Sequence, residues 1–357
     1  MRHDYGLILA GGRGTRFWPR SRRARAKQVL TIFGERSLIQ STVDRLSPLI
    51  PPERLWVLTN EHLRDEIVRQ LPSIPRRQIL AEPMQRNTAP AIGLAAHILH
   101  SLDRDAVMGV FPADHVIAKS RRYLGFVRAA FRAAASGKIA VLGIVPRWAE
   151  TGYGYIEFPR DTRSGSLAPA PVMSFREKPD AKTAAKYLAA KRFYWNAGMF
   201  FWRADVLLDS LRRHLPKTAT LLASLPRFAS RQFQSTLAQV FPRCENISID
   251  YAVLERATNV VGFACDDIGW NDVGSWNAVY ELVARDREGN AARSVILSAD
   301  SSGNYVDAGN KLVALLGAHN LVVVDTPDAL LIADRERAQQ VGDIVKRLEQ
   351  DRRHDLL

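Results

Sequence analysis

At 357 residues, 46% hydrophobic and 24% charged, the chain has the composition of an ordinary soluble protein and is long for one core, so a large domain and a smaller one are expected. Its formal net charge of +13 favours anionic partners, but the arginines are scattered over the whole length, which argues against a nucleic-acid-binding stripe. The two cysteines, Cys244 and Cys265, show neither CxxC nor His-paired spacing, which argues against zinc and a disulfide framework and fits a reducing cytoplasm, and no apolar run is long enough to span a bilayer.

The N-terminus is charged at once (Arg2, His3, Asp4), and the apolar run from Tyr5 to Ala10 is too short for a signal sequence. It reads as a first buried strand, closed by Gly11-Gly12. Gly11-Gly12-Arg13-Gly14-Thr15-Arg16 follows. Glycines permit positive φ and let amide N–H groups converge on an anion. The spacing is not that of a Walker loop, and Phe17 stands where a dinucleotide fingerprint needs its third Gly. What remains is a phosphate loop of a third kind or a simple turn; Arg16 and Lys27 tip the balance towards polyphosphate, while Arg22, Arg23 and Arg25 fit a solvated face.

A helix is expected from Ser37 ("SLIQSTVDRL"), a strand in "RLWVLTN", and a second helix from about Thr88 ("TAPAIGLAAHILH"). "AVMGVFPAD" is a further strand. Asp114 follows its carboxyl end, where a carboxylate can hold Mg²⁺ for a nucleotide, although a helix cap or turn explains an Asp there as simply. Asp103-Arg-Asp105 has the DxD form of some metal sites but precedes the strand, at the wrong end of a sheet, and reads as a turn. A helix near Tyr123 and the strand "KIAVLGIVP" complete an alternation that predicts an α/β domain with a largely parallel sheet.

Next come "ETGYGYIE", "FREKPD" and "YWNAGMFFW", where Gly152, Glu177, Lys178 and Asn196 are candidates for sugar hydroxyls and a phosphate. The plainer alternative is turn chemistry and, for Trp195 and Phe200, core packing. Residues 205–245 read as helical. In "DIGWNDVGSW", Asp272 would add a second carboxylate to a Mg²⁺ site; alone it is a turn residue. After about Asp286 the short runs "SVILSAD", "GNYVDAG", "KLVALLG" and "NLVVVDT" predict a small β-rich unit, ending in a helix from about Asp334.

In this order, these segments resemble the mannose-1-phosphate guanylyltransferases (GDP-mannose pyrophosphorylases) of the sugar-nucleotidyltransferase superfamily. The resemblance runs through Gly11 to Lys27, "AEPMQRNTAPAI", "FPADH", "TGYGYIE", "FREKPD", "WNAGMF", "SIDYAVLE", "WNDVGSW" and "NLVVVDTPDALLIA", most of the chain. It implies a GT-A-like (Rossmann-like) nucleotidyltransferase domain with a mixed, mainly parallel sheet over residues 1–285, and a small C-terminal β-helix-like domain over 286–357. The implied reaction joins GTP and α-D-mannose 1-phosphate into GDP-mannose and pyrophosphate with Mg²⁺, in the cytoplasm, with no nucleic-acid or membrane partner and with a homodimer left open. Carried over by position, Gly11, Gly12, Gly14, Thr15 and Arg16 cradle the triphosphate, and Lys27 contacts phosphate in the transition state. Arg16, Lys27 and Asp114 form the catalytic set, and Asp114 and Asp272 bind the metal. Glu82 and Asn87 read the guanine edge, and Gly152, Glu177, Lys178 and Asn196 face the sugar phosphate. Two departures stand out: Ala26 replaces the usual Pro before the signature Lys, and the chain stops at Leu357 without the cupin of many relatives, so no isomerase activity is expected. A related enzyme for another sugar 1-phosphate or NTP, and a non-catalytic sugar-nucleotide binder, are the alternatives; the retained Lys and carboxylates speak against the second.

Overall fold

The structure, a computed structural model, describes residues 2–357. The apolar runs form the parallel strands Asp4–Leu9, Leu55–Asn60, Ile79–Glu82 and Val107–Pro112. The long strand Phe193–Arg203 runs antiparallel between Val107–Pro112 and Ile139–Ile144, and Ile139–Ile144 pairs in parallel with Val260–Cys265. With three shorter strands these make one ten-stranded mixed sheet among the described residues. "YWNAGMFFW" is thus a central strand, and Ile79–Glu82 is an edge strand that the sequence did not single out.

Asp4–Leu9 has Leu55–Asn60 on one side and Val107–Pro112 on the other, so the strand order switches direction beside it. The carboxyl end of such a switch point is where α/β sheets bind ligands, and the Gly-rich loop and Asp114 both emerge there. Alternation sorts the side chains by face. Ile8, Val57 and Phe111 pack under the helices Leu38–Leu46, Glu61–Gln70 and Ser120–Ala135; Leu7, Leu58 and Val110 pack under Thr88–Leu102, Ala204–His214 and Pro216–Ala223. Ser37 closes a capping box with Gln40, which is why the first helix starts where the sequence places it. Segment 205–245 adds a third helix, Phe233–Val240.

Beyond residue 290 the chain coils. Ala291–Ala292, Tyr305–Asp307 and Leu321–Asp325 stack in parallel, as do Ile296–Ala299 and Val313–Leu316, so successive turns lie above one another as in a β-helix. Buried Asn304 ties the turns: its Nδ2 donates to Asn290 Oδ1 (2.9 Å) and Ala318 O (2.8 Å), and its Oδ1 accepts from the Leu321 N–H (2.9 Å). Leu330–Asp334 returns antiparallel. The helix expected from Asp334 comes in two parts, a 3₁₀ segment Arg335–Gln340 and an α-helix Val341–Gln350, because Asp334 caps the Glu336 N–H only two residues on and tightens the first turns. Phe17, Trp18, Leu30 and Ile32 share one core with Trp276, Tyr305, Val322, Val341 and Val345, so the coil is fused to the N-terminal segment.

Replacing Asn304 by Ala would leave the Leu321 N–H without its acceptor and remove one donor each from Asn290 Oδ1 and Ala318 O, which keep the Asn304 and Ser302 N–H groups. Chemical denaturation should report a loss on the order of 3 kcal/mol. An unchanged midpoint would show that the ladder contributes nothing.

Candidate active site

After the first strand, side chains from four directions hold the carbonyls of the Gly-rich loop. Ala10 O accepts from Gln28 Nε2 (2.7 Å) and Thr59 Oγ1 (3.0 Å), Gly11 O from Gln85 Nε2 (2.6 Å) and Asn60 Nδ2 (3.3 Å), and Gly12 O from Gln28 Nε2 (3.1 Å). The N–H groups of Gly11, Gly12, Arg13 and Gly14 donate to no group among the described residues. They sit beside a cavity of about 570 Å³ whose walls include Gly11, Gly12, Gly14, Lys27, Glu82, Asn87 and Asp114. Successive free amides of this kind form a concavity for an anion. Gly14 has φ 61°, and a Cβ there would come 2.5 Å from Lys27 Cβ, so only glycine lets the loop lie on the lysine. Thr15 and Arg16 lie beyond the cavity, in the short turn Thr15–Phe17, where Arg16 Nη1 donates to Gln339 Oε1 at 2.6 Å.

Lys27 is 6% exposed, and its Nζ donates to Asp114 Oδ2 (2.8 Å) and to the main-chain O of Asp272 (2.7 Å). A ribbon brings those two segments together: Trp270–Asn271 pairs with Val116–Ile117, so the chain enters one strand two residues after Asp114 and reaches Asp272 on leaving the other. Burial alone would raise the Asp114 carboxyl, but Lys27, His115 and local hydrogen bonds outweigh it and hold its pKa below the ordinary value. Burial holds His115 neutral, and its Nδ1 accepts from Trp270 Nε1 at 3.2 Å. Next to Asp272, Val273 has φ 49°, a strained conformation for a β-branched residue. A Cβ at Gly274 would lie 3.0 Å from Asp272 Oδ2, so small residues there keep the carboxylate in place. Burial raises the Tyr153 hydroxyl far above its ordinary range, and it stays a neutral donor to Asp272. Asp114 lines the cavity beside the amide cradle and Asp272 lies on the facing segment, and a hard divalent cation takes one or two carboxylates plus phosphate and water oxygens. Asp103 and Asp105 are elsewhere, in a turn where the Asp105 N–H donates to Asp103 Oδ1 (3.1 Å), as the sequence suggested.

Glu82 ends the edge strand with its carboxyl buried, Oε1 without a partner among the described residues, and a pKa pushed by burial up to about 8. Asn87, at φ 64°, caps helix Thr88–Leu102 by accepting from the Thr88 N–H (2.9 Å). Asn246, not singled out by the sequence, lines the same cavity.

A second cluster lies on the long strand. Its register shifts between Asn196 and Phe200, a bulge that re-aims Asn196. Asn196 Nδ2 donates to Asp250 Oδ1 (2.9 Å), and its Oδ1 accepts from the Gly198 N–H (3.0 Å). Glu177 packs so close to Gly154 that a Cβ there would lie 2.4 Å from its Oε2, which has no partner among the described residues. Lys178, at φ 47°, turns its Nζ to 3.3 Å from Glu177 Oε1. Burial raises Glu177 despite that lysine, and burial with the Glu177 charge pushes Asp250 up to about 7. Glu177, Lys178 and Asn196 therefore come together, joined by Gly154 and Asp250. Gly152 stands apart, with its N–H donating to Glu150 Oε1 (2.8 Å). Asp250 opens a π-helical turn, Asp250–Leu254, within "SIDYAVLE". Trp195 and Phe200 are core residues, 1% and 3% exposed.

A nucleotidyl transferase family model matches residues 5–289, and a MannoseP isomerase/GMP-like beta-helix domain model matches residues 294–348. The mannose-1-phosphate guanylyltransferase of Klebsiella pneumoniae is 39% identical over 355 residues, which cover 98% of this chain and 74% of the relative. The chain belongs to the mannose-1-phosphate guanylyltransferase family of nucleotidyl transferases. A family member from Escherichia coli, with the same name as the Klebsiella protein, is also 39% identical, over 97% of this chain and 74% of its own length. A crystal structure named mannose-1-phosphate geranyltransferase, from Thermus thermophilus, superposes with a TM-score of 0.85 and 33% identity, covering 97% of this chain and 99% of that one. Nucleotidyltransferases of this family generally work with a divalent metal.

Ala26 departs from the family pattern of Pro before the Lys, yet its backbone is ready for proline. It has φ −70° and ψ 166°, its N–H makes no backbone hydrogen bond among the described residues, and Arg25 before it lies in an extended bridge. Ala26→Pro should raise stability by about 0.4–1 kcal/mol, read as a higher melting temperature with unchanged kinetics. A fall in melting temperature would mean that the ring does not fit this buried position.

Proposed function

We propose that the chain transfers GMP from GTP to α-D-mannose 1-phosphate, releasing pyrophosphate and yielding GDP-mannose. The observation that carries this reading is the run of four uncommitted amides, Gly11 to Gly14, opening beside Lys27 and Asp114. The relatives' names supply the substrates.

The sugar-phosphate oxygen is already anionic, so attack on the α-phosphorus needs no general base. A bond from that oxygen to phosphorus forms as the bond to the pyrophosphate oxygen breaks, in line. The protein's task is to offset repulsion between two anions and to stabilise the leaving group. The loop amides, Lys27 and Arg16 do this with fixed positive charge and dipoles. Mg²⁺ held by Asp114 and Asp272 would neutralise phosphate charge and fix its geometry. Glu82 accepts from the N–H groups of the guanine edge, with Asn87 beside it. Glu177, Lys178 and Asn196 surround the sugar phosphate. The two free, buried thiols suit the GTP-rich, reducing cytoplasm. No helix among the described residues is long and apolar enough to cross a membrane. A second copy is the natural cover for Val295, Leu297, Leu312 and Leu316, each at least 64% exposed on one paired-strand face of the coil.

Pyrophosphate release across a grid of NTPs and sugar 1-phosphates with Mg²⁺ should peak at GTP with mannose 1-phosphate. Lys27→Ala should lose about 3–4 kcal/mol of transition-state stabilisation. Indifference to the base would remove Glu82 from its role, and full activity without Lys27 would make the basic run mere surface.

The raised pKa of Glu82 gives a second test. Below about 8 the free carboxyl is protonated, while guanine donors favour the carboxylate, so binding must expel a proton. KM for GTP should therefore fall as pH rises towards about 8 and then level off. Glu82→Gln should flatten that profile; a profile shared by wild type and variant would refute the assignment.

A further inference from the structure

The Gly-rich loop is gripped from outside by the C-terminal unit. Arg13 Nη2 meets Glu349 Oε1 at 2.5 Å, Arg16 Nη1 donates to Gln339 Oε1 at 2.6 Å, and Trp18 Nε1 donates to Leu356 O at 3.0 Å. Gly342, in the first turn of the last helix, faces the loop so closely that a Cβ would meet Thr15 Oγ1 at 3.6 Å and Arg16 Cγ at 3.7 Å. The shared core under Phe17 and Trp18 fixes this interface.

The two arginines are treated differently. Arg13 meets a carboxylate, which cancels its charge. Arg16 meets a neutral amide oxygen, which orients the guanidinium without pairing it to a carboxylate there. Its Nη1 is also 3.5 Å from the place a Cβ would take at Gly274, directly after the Asp272 turn. An exposed Arg side chain is otherwise free to sample many rotamers, and a charge-stabilising group works only when its geometry is set beforehand.

We infer that Gln339 is a positioning residue: it holds the Arg16 guanidinium over the Asp272–Gly274 turn, so that the C-terminal unit sets the turnover of the site. The inference rests on the phosphoryl-transfer reading above. It goes beyond it by giving the β-rich unit a part in the chemistry.

The test uses the whole chain and steady-state pyrophosphate release. Gln339→Ala should lower kcat roughly tenfold or more, with KM for mannose 1-phosphate and the melting temperature unchanged. Gln339→Glu, which keeps an oxygen acceptor but adds a negative charge, should also lower kcat. In an Arg16→Ala background, Gln339→Ala should have no further effect, because the two residues act as one unit. Wild-type kcat in Gln339→Ala, or an equal loss in the Arg16→Ala background, would overturn the inference while leaving the reaction standing. A wild-type chain that releases no pyrophosphate would overturn the reaction itself, and this inference with it.

Discussion

The site is organised around one buried ammonium. An amine with so little exposure is tolerable only if oxygen atoms replace its water, and Lys27 takes one from the Asp114 carboxylate and one from the Asp272 main chain. Those contacts tie three stretches of chain that are distant in sequence. The ribbon between Val116–Ile117 and Trp270–Asn271 delivers two of them, and the close approach of Gly14 seats the loop on the third. The amide cradle, the paired carboxylates and the strained Val273 all take their places relative to that nitrogen.

Charge around the loop cavity is uneven. The centre is cationic, made of loop amides and Lys27. Two buried carboxyls, Glu82 in the cavity wall and Glu177 in the second cluster, each keep an oxygen that no group among the described residues satisfies. Unmet acceptors of this kind are expensive in a protein interior and are expected where a ligand completes them. In the proposed reaction these acceptors would be met by N–H or O–H donors of the purine and of the sugar.

Much of this was legible beforehand, for identifiable reasons. Short apolar runs closed by Gly, Pro or Asp became strands, and the helix placed at Ser37 does start there, held by a capping box. "YWNAGMFFW" hid its strand because it is buried on both faces and so lacks alternation. Gln28 and Asp250 were silent because their roles depend on partners far along the chain, Gly12 for one and Asn196 for the other. Two glycines of "TGYG" look alike in sequence, and only packing against Glu177 separates Gly154 from Gly152. Lys27, Asp114 and Asp272 carry no spacing rule of their own; chemistry alone groups the two carboxylates as a metal pair, and family resemblance adds Lys27 to them. The coil's strands could be anticipated, but their parallel stacking depends on a buried Asn ladder that no periodicity reveals.

The shared core also governs when the site can exist during synthesis. Trp18 takes its last partner from Leu356, 338 positions later. At roughly 5–20 residues per second, a ribosome needs about 20–70 s to cover that distance. Until then Phe17 and Trp18, beside the Gly-rich loop, lack part of the apolar surface that covers them, which Trp276, Tyr305, Val341 and Val345 supply late. The N-terminal segment therefore reaches its final packing only once the C-terminal unit has been made, and the nascent chain must be kept from aggregating through that aromatic pair in the meantime.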